Sequence, residues 1–127
     1  MSAAVAFLRA ARKRPNLTIR TSALATRILI ERGRAQGVQY RWRGRAHVAH
    51  ASREVLLSAG AIQSPQLLML SGIGPADHLR SLGIETLVDL PGVGQNYHDH
   101  VGVSVLTTIR GKDSAYRHFA PLNAAVA

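Results

Sequence analysis

The stretch Val55 to Gly72 constrains this chain most, because it specifies a strand, a turn and a helix in immediate succession. Val55-Leu56-Leu57 is a continuous apolar run of the kind that forms a strand buried on both faces, as in a parallel sheet covered by helices. Ser58-Ala59-Gly60 ends it with side chains small enough for a ligand or another backbone to come close. Ser64-Pro65 then reads as an N-cap and a pre-set first turn for a helix over Gln66 to Ser71, and Gly72 is its stop. The order strand, small-residue turn, helix points to a mixed α/β fold.

Upstream, Ser2 can cap a short helix whose positions Ala4, Val5, Phe7, Leu8 and Ala11 form one apolar stripe, with Arg9, Arg12 and Lys13 near its end and Pro15 as its stop. Leu17, Ile19 and Thr21 alternate with polar residues, which predicts a half-buried strand. Ala25 to Ile30, then Val38-Tyr40-Trp42 on one face, then His47 to His50, predict three antiparallel strands joined at Glu31-Arg32-Gly33-Arg34 and Arg43-Gly44-Arg45. Spacing places His47 and His50 on opposite faces. Pro75 to Leu82 predicts a helix ended by Gly83, Ile84 to Leu90 a strand, and Val101 to Val105 one more. Residues 111–127 show little pattern and are expected to fray.

At 127 residues with 46% hydrophobic content, the chain is long enough for one domain and has the composition of an ordinary globular protein. It has no cysteine, which excludes disulfides, thiolate metal sites and a thiol nucleophile. No apolar run approaches the ~20 residues that span a bilayer. The early basic residues follow the apolar run, the reverse of a secretory signal, so the expected compartment is the cytoplasm. An Arg-rich, acid-free start also fits an organellar transit peptide, against the reading as an amphipathic first helix.

Charge is lopsided. Residues 1–50 carry eleven Lys or Arg against Glu31 alone, net +10, and residues 51–127 carry five against six, net −1. Such a half can attract nucleic acid or anionic membrane, but its bases alternate with apolar residues and lack the interleaved aromatics that stack single strands. A solvated face, or one that meets acidic surface in a larger protein, is the reading adopted, with no nucleic-acid partner.

His98-Asp99-His100 carries metal-ligand and base chemistry, but alternate residues of an extended segment face opposite ways and no further ligand is implied. No Gly-x-Ser-x-Gly elbow supports a triad of Ser64, Asp99 and His100. No metal site is assigned. Neither Gly72-Ile-Gly74 nor Gly92-Val-Gly94 completes a Gly-x-Gly-x-x-Gly phosphate loop.

The segment Gly60-Ala-Ile-Gln-Ser-Pro-Gln-Leu-Leu-Met-Leu-Ser-Gly-Ile-Gly74 resembles the second signature of the glucose-methanol-choline (GMC) oxidoreductases, flavoenzymes that oxidise alcohols. Arg14-Pro-Asn-Leu-Thr-Ile-Arg-Thr, Arg53-Glu-Val-Leu-Leu-Ser-Ala-Gly and Leu90-Pro-Gly-Val-Gly-Gln-Asn are similar to further family segments in the same order, over Ser2 to Arg110. The resemblance implies an internal fragment of an FAD-dependent oxidoreductase acting on CH–OH donors, choline or another primary alcohol. Its fold would be part of a Rossmann-like FAD-binding domain with an antiparallel meander, residues 1–100, followed by the start of a substrate-binding domain, 101–127.

By the same resemblance the backbone of Ala25, where a valine is usual, would touch the adenine of FAD, and Ser58, Ala59 and Gly60 would line the passage of its ADP portion. Asn96, Asp99 and His100 match a crossing segment in which Tyr97-His98 replaces the usual Leu-Gln. The family's catalytic histidine lies near the enzyme's C-terminus and has no counterpart here, so no catalytic residue is assigned. The FAD site would be incomplete, and the chain alone inactive or a partner of the missing segments of a split enzyme. A noncatalytic remnant or interaction module is the alternative, and a basic nucleic-acid-binding domain the lesser one.

Overall fold

The structure, a computed structural model, describes residues 4–105. Ser2 and residues 106–127, including the segment expected to fray, lie outside them. Residues up to Tyr97 form one compact unit, and the segment from His98 groups separately.

The first apolar stripe folds as a π turn, Ala4–Leu8, continued by α1 (Arg9–Ala11). The helix ends before Pro15 in turns closed by the Arg14 and Leu17 amides, which donate to the carbonyls of Ala11 (2.9 Å) and Arg14 (3.2 Å). Leu17 to Thr21 is not the predicted strand: it runs without a ladder partner among the described residues. It is held instead at its end, where Trp42 Nε1 donates to the Thr21 carbonyl (3.2 Å). The guanidiniums of Arg20 and Arg43 lie 4.5 and 4.4 Å from the Trp42 ring centre.

The meander forms as expected, with β1 (Leu24–Glu31), β2 (Arg34–Trp42) and β3 (Arg45–His50) in sequential antiparallel order. Both loops have two residues, and in both the central pair has positive φ: Arg32 at 51° with Gly33 at 74°, Arg43 at 49° with Gly44 at 76°. That is the type I′ geometry whose twist matches the strands it joins. Register puts Ile28 opposite Val38, Ala25 opposite Tyr40 and Tyr40 opposite His47, so these share a face, and His47 and His50 fall on opposite faces. Tyr40 and His47 stack at 5.4 Å. Irregularities in β1–β2 fall between Ala25 and Arg27 and between Leu29 and Ile30, whereas β2–β3 is regular.

Val55 to Leu57 does not form the predicted buried strand: no strand pairs with it among the described residues, and Leu56 is 80% exposed. A continuous apolar run becomes a two-sided strand only when neighbouring strands satisfy its amides.

Helix α2 (Gly60–Leu70) starts six residues earlier than predicted, with Ala59 as N-cap and Pro65 inside. Ser64 is therefore not the cap residue, but its Oγ accepts the Ala59 amide (3.0 Å) and so still satisfies a donor at the helix start. Gly72 ends the helix at φ +87°, donating to the Met69 carbonyl (2.9 Å). A Cβ at Gly72 would stand 2.6 Å from the Glu85 carbonyl oxygen. The Gly72 carbonyl accepts the amides of Leu87 (2.8 Å) and Val88 (3.1 Å).

The strand expected over Ile84 to Leu90 shrinks to β5 (Val88–Asp89), paired in parallel with β4 (Ile73–Gly74). Between them lies α3 (Ala76–Ser81), whose first amide donates to Asp89 Oδ1 (3.0 Å). Among the described residues, Ile28, Leu67, Leu79 and Val93 are the buried large apolar side chains. Ser71, fully buried, locks this core: its hydroxyl donates to the Leu67 carbonyl (2.6 Å) and accepts the Ile28 amide of β1 (2.8 Å).

In the separate segment, Val101 to Val105 is without the ladder of the predicted strand among the described residues, and its three valines are exposed.

Candidate functional site

The start of β1 and the first turns of α2 enclose a cleft of about 210 Å3. Its strand wall is Ala23, Leu24 and Ala25. Its helix wall is Ala59, Gln63 and Gln66, with Leu67 and Leu70 deeper along the same face. Helical periodicity explains that face, since positions four, seven, eight and eleven after Ala59 return to one side of the helix. The Ser71 hydrogen bonds hold the two walls together from behind, joining β1 to the far end of α2.

Of the residues singled out in the sequence, Ala25 and Ala59 come together as opposite walls of this cleft. Ser58 and Gly60 flank Ala59 in exposed positions outside its lining, Gly60 at φ +90°. Gln63 and Gln66, not singled out, supply its polar side chains. They were hidden because Ser64-Pro65 places the helix start after Gln63, which removes the periodicity that puts both on the face of Ala59.

Chemically the cleft offers small apolar walls, two carboxamides that donate and accept, and a helix start whose N-cap provides no side-chain hydrogen bond. First-turn amides left in that state favour an anion. The volume is below the roughly 300–1,000 Å3 of a complete small-molecule site, so it suits part of a longer ligand. No acid, base or nucleophile lines it. Among the described residues, no three His, Asp or Glu side chains are placed to hold a metal ion, and Asp99 Oδ1 accepts the amide of His100 (2.7 Å).

The meander, with its first strand closing a small-residue cleft against a helix start, is a mixed α/β arrangement. The sequence profile described as GMC oxidoreductase matches residues 1–102. The mitochondrial choline dehydrogenase of Homo sapiens is 54% identical over 104 residues, 82% of this chain and 18% of that protein. Among solved structures, an FAD-dependent oxidoreductase from Chaetomium thermophilum superposes with a TM-score of 0.66 at 42% identity, over 69% of this chain and 16% of its own. Pyridoxine 4-oxidase from Mesorbium loti gives a TM-score of 0.66 at 40% identity, over 72% and 18%. The chain belongs to the GMC oxidoreductase family. It spans about a fifth of the length of the relatives it matches.

Proposed function

We propose that this chain is a wall of the FAD site of an oxidoreductase that oxidises the CH–OH group of choline or another primary alcohol. The observation that carries the reading is the cleft in which Ala25 and Ala59, remote in sequence, face each other. The residues fit one end of the cofactor: alanine walls admit a flat base, Gln63 and Gln66 can hydrogen-bond its edge, and the α2 start is suited to the adjoining phosphate. Ala25 would act through its backbone, which tolerates the change of side chain, and Ser58, Ala59 and Gly60 would border the ADP portion. The flavin, when bound, supplies the acceptor for the alcohol's hydride. This chain's residues bind and orient; none is assigned as the base, which must reach the hydroxyl proton.

In this reading residues 1–100 belong to the FAD-binding domain and 101–127 open the substrate-binding domain. Further segments would complete the site, in the cytoplasm. Among the described residues no helix is long and apolar enough to cross a membrane. The chain alone is expected to bind FAD weakly and to turn over no alcohol. Titration of the purified chain with FAD and with ADP tests this: weak saturable binding of both, lost in Ala59→Trp, which fills the cleft, is the expected result. Tight stoichiometric FAD binding with choline turnover would overturn the incomplete site, and binding indifferent to Ala59→Trp would overturn the assignment of the cleft.

A noncatalytic interaction module is the second reading, favoured by large exposed apolar side chains such as Leu56 and Ile62. Flanking DNA separates the two. Adjacent frames encoding a Gly-x-Gly-x-x-Gly start and a C-terminal His-containing domain support the enzyme, and their absence supports the module.

A further inference from the structure

The meander has two outer edges, and the molecule treats them differently. The edge of β1 lies against α2, and its Ile28 amide is taken by Ser71. The edge of β3 has no neighbour among the described residues.

The two-residue loop at Arg43-Gly44 makes Trp42 and Arg45 a hydrogen-bonded pair, and alternation extends that pairing to Tyr40–His47 and Val38–Ala49. The Ala51 amide, which donates to the Gln36 carbonyl (2.8 Å), continues the same series. The N–H and C=O groups of Ala46, Val48 and His50 therefore point away from β2. These groups have no partner among the described residues, and every residue of β3 except His47 is exposed. Among the described residues this edge carries no proline, no bulge against β2 and no covering element; the charge of Arg45 is what guards it, and a charge of that sign repels a like-charged strand, not an acidic one.

Charge says what fits it. Arg41 lies opposite Ala46, Arg45 begins β3, and Arg43 sits in the loop between. Among the described residues the ion pair formed is Arg80 with Asp77, so none of these guanidiniums is matched by a carboxylate. A second copy pairing edge to edge would bring two such sets of cations together, which disfavours a homodimer. Nucleic acid would use the charge but not the row of backbone donors and acceptors.

We propose that β3 receives an acidic, extended segment of a partner protein as a fourth strand. The backbone of Ala46, Val48 and His50 would supply the ladder, and Arg41, Arg43 and Arg45 the selection for carboxylates. This surface is independent of the flavin reading.

Trp42, the single tryptophan, reports on it by fluorescence, because it sits at the end of β2 with Arg43 against its ring. The probes are a strand-forming peptide of about eight residues of Glu with Val or Thr, its glutamates spaced to fall on both faces because Arg41 and Arg45 lie on opposite faces of the sheet, its Lys-for-Glu counterpart, and an oligothymidylate. The Glu peptide is expected to bind the full chain about tenfold or more tighter than the Lys peptide at low salt, and to shift the amide resonances of Ala46, Val48 and His50. Val48→Pro, which sacrifices an outward N–H and no bond to β2, is expected to weaken it about tenfold or more while the circular dichroism is retained. If that variant misfolds, the Arg41→Glu/Arg45→Glu pair decides, with loss of the Glu peptide expected. Equal binding of both peptides, no binding of the Glu peptide, binding unchanged in the variants, or oligothymidylate binding more tightly than the Glu peptide would each overturn the proposal.

Discussion

Ser71 shows how much can rest on one hydroxyl. It is fully buried, it donates to a carbonyl in the last turn of α2, and it accepts an edge amide of β1. Removing it strands the Ile28 N–H in a dry site, which costs about 1–3 kcal/mol. Ser71→Ala is therefore expected to lower the unfolding free energy by that amount, seen by circular dichroism as a lower urea midpoint with the slope unchanged. Gly72 beside it needs both a positive φ and an absent Cβ, whereas Gly83, at φ +69°, has open space around it. Alanine at either pays about 1–2 kcal/mol for the left-handed backbone. Gly72→Ala must also push the Glu85 carbonyl away, so it is expected to be the more destabilising of the two in the same urea titration; equal losses would mean that the backbone yields there.

The meander was legible at the level of elements because its signals are local: alternation over a few residues, and a two-residue loop ending in glycine. The loops also leave room for improvement. Arg32 holds φ 51° without the tolerance of asparagine for that region, so Arg32→Asn is expected to stabilise the hairpin by about 0.5 kcal/mol, seen as a raised thermal midpoint. Elements that need remote partners were misread. Leu17 to Thr21 and Val55 to Leu57 have strand sequences, but a ladder requires a neighbour that neither has among the described residues. The start of α2 was misplaced for a different reason. Ser64-Pro65 is a strong local sign of a helix beginning, yet here the serine reaches back to the Ala59 amide from inside the helix. That error concealed Gln63 and Gln66. Ala59 was visible as one of three small residues after the apolar run, but Ala25 was visible through the family resemblance alone, and nothing in their type or spacing brings the two together.

At the scale of the whole molecule, the described residues bury few large apolar side chains, while Leu24, Leu56, Ile62 and Leu82 are each at least 60% exposed. The first fifty residues add a second burden, eleven cations with Glu31 as their only acidic neighbour in sequence. Mutual repulsion among exposed charges is screened over a Debye length that shrinks from about 20 Å near 20 mM salt to under 10 Å at physiological strength. Relief of that repulsion is worth about 0.5–1 kcal/mol, or several degrees in a domain of this size. The thermal midpoint is therefore expected to rise between about 20 and 300 mM NaCl. Chloride is the proper salt, because sulfate would raise the midpoint through apolar burial alone. Replacing Arg41 and Arg45 with glutamine should flatten the slope. A midpoint that falls with NaCl would show that attraction, not repulsion, governs the basic half, and that its cations are already matched.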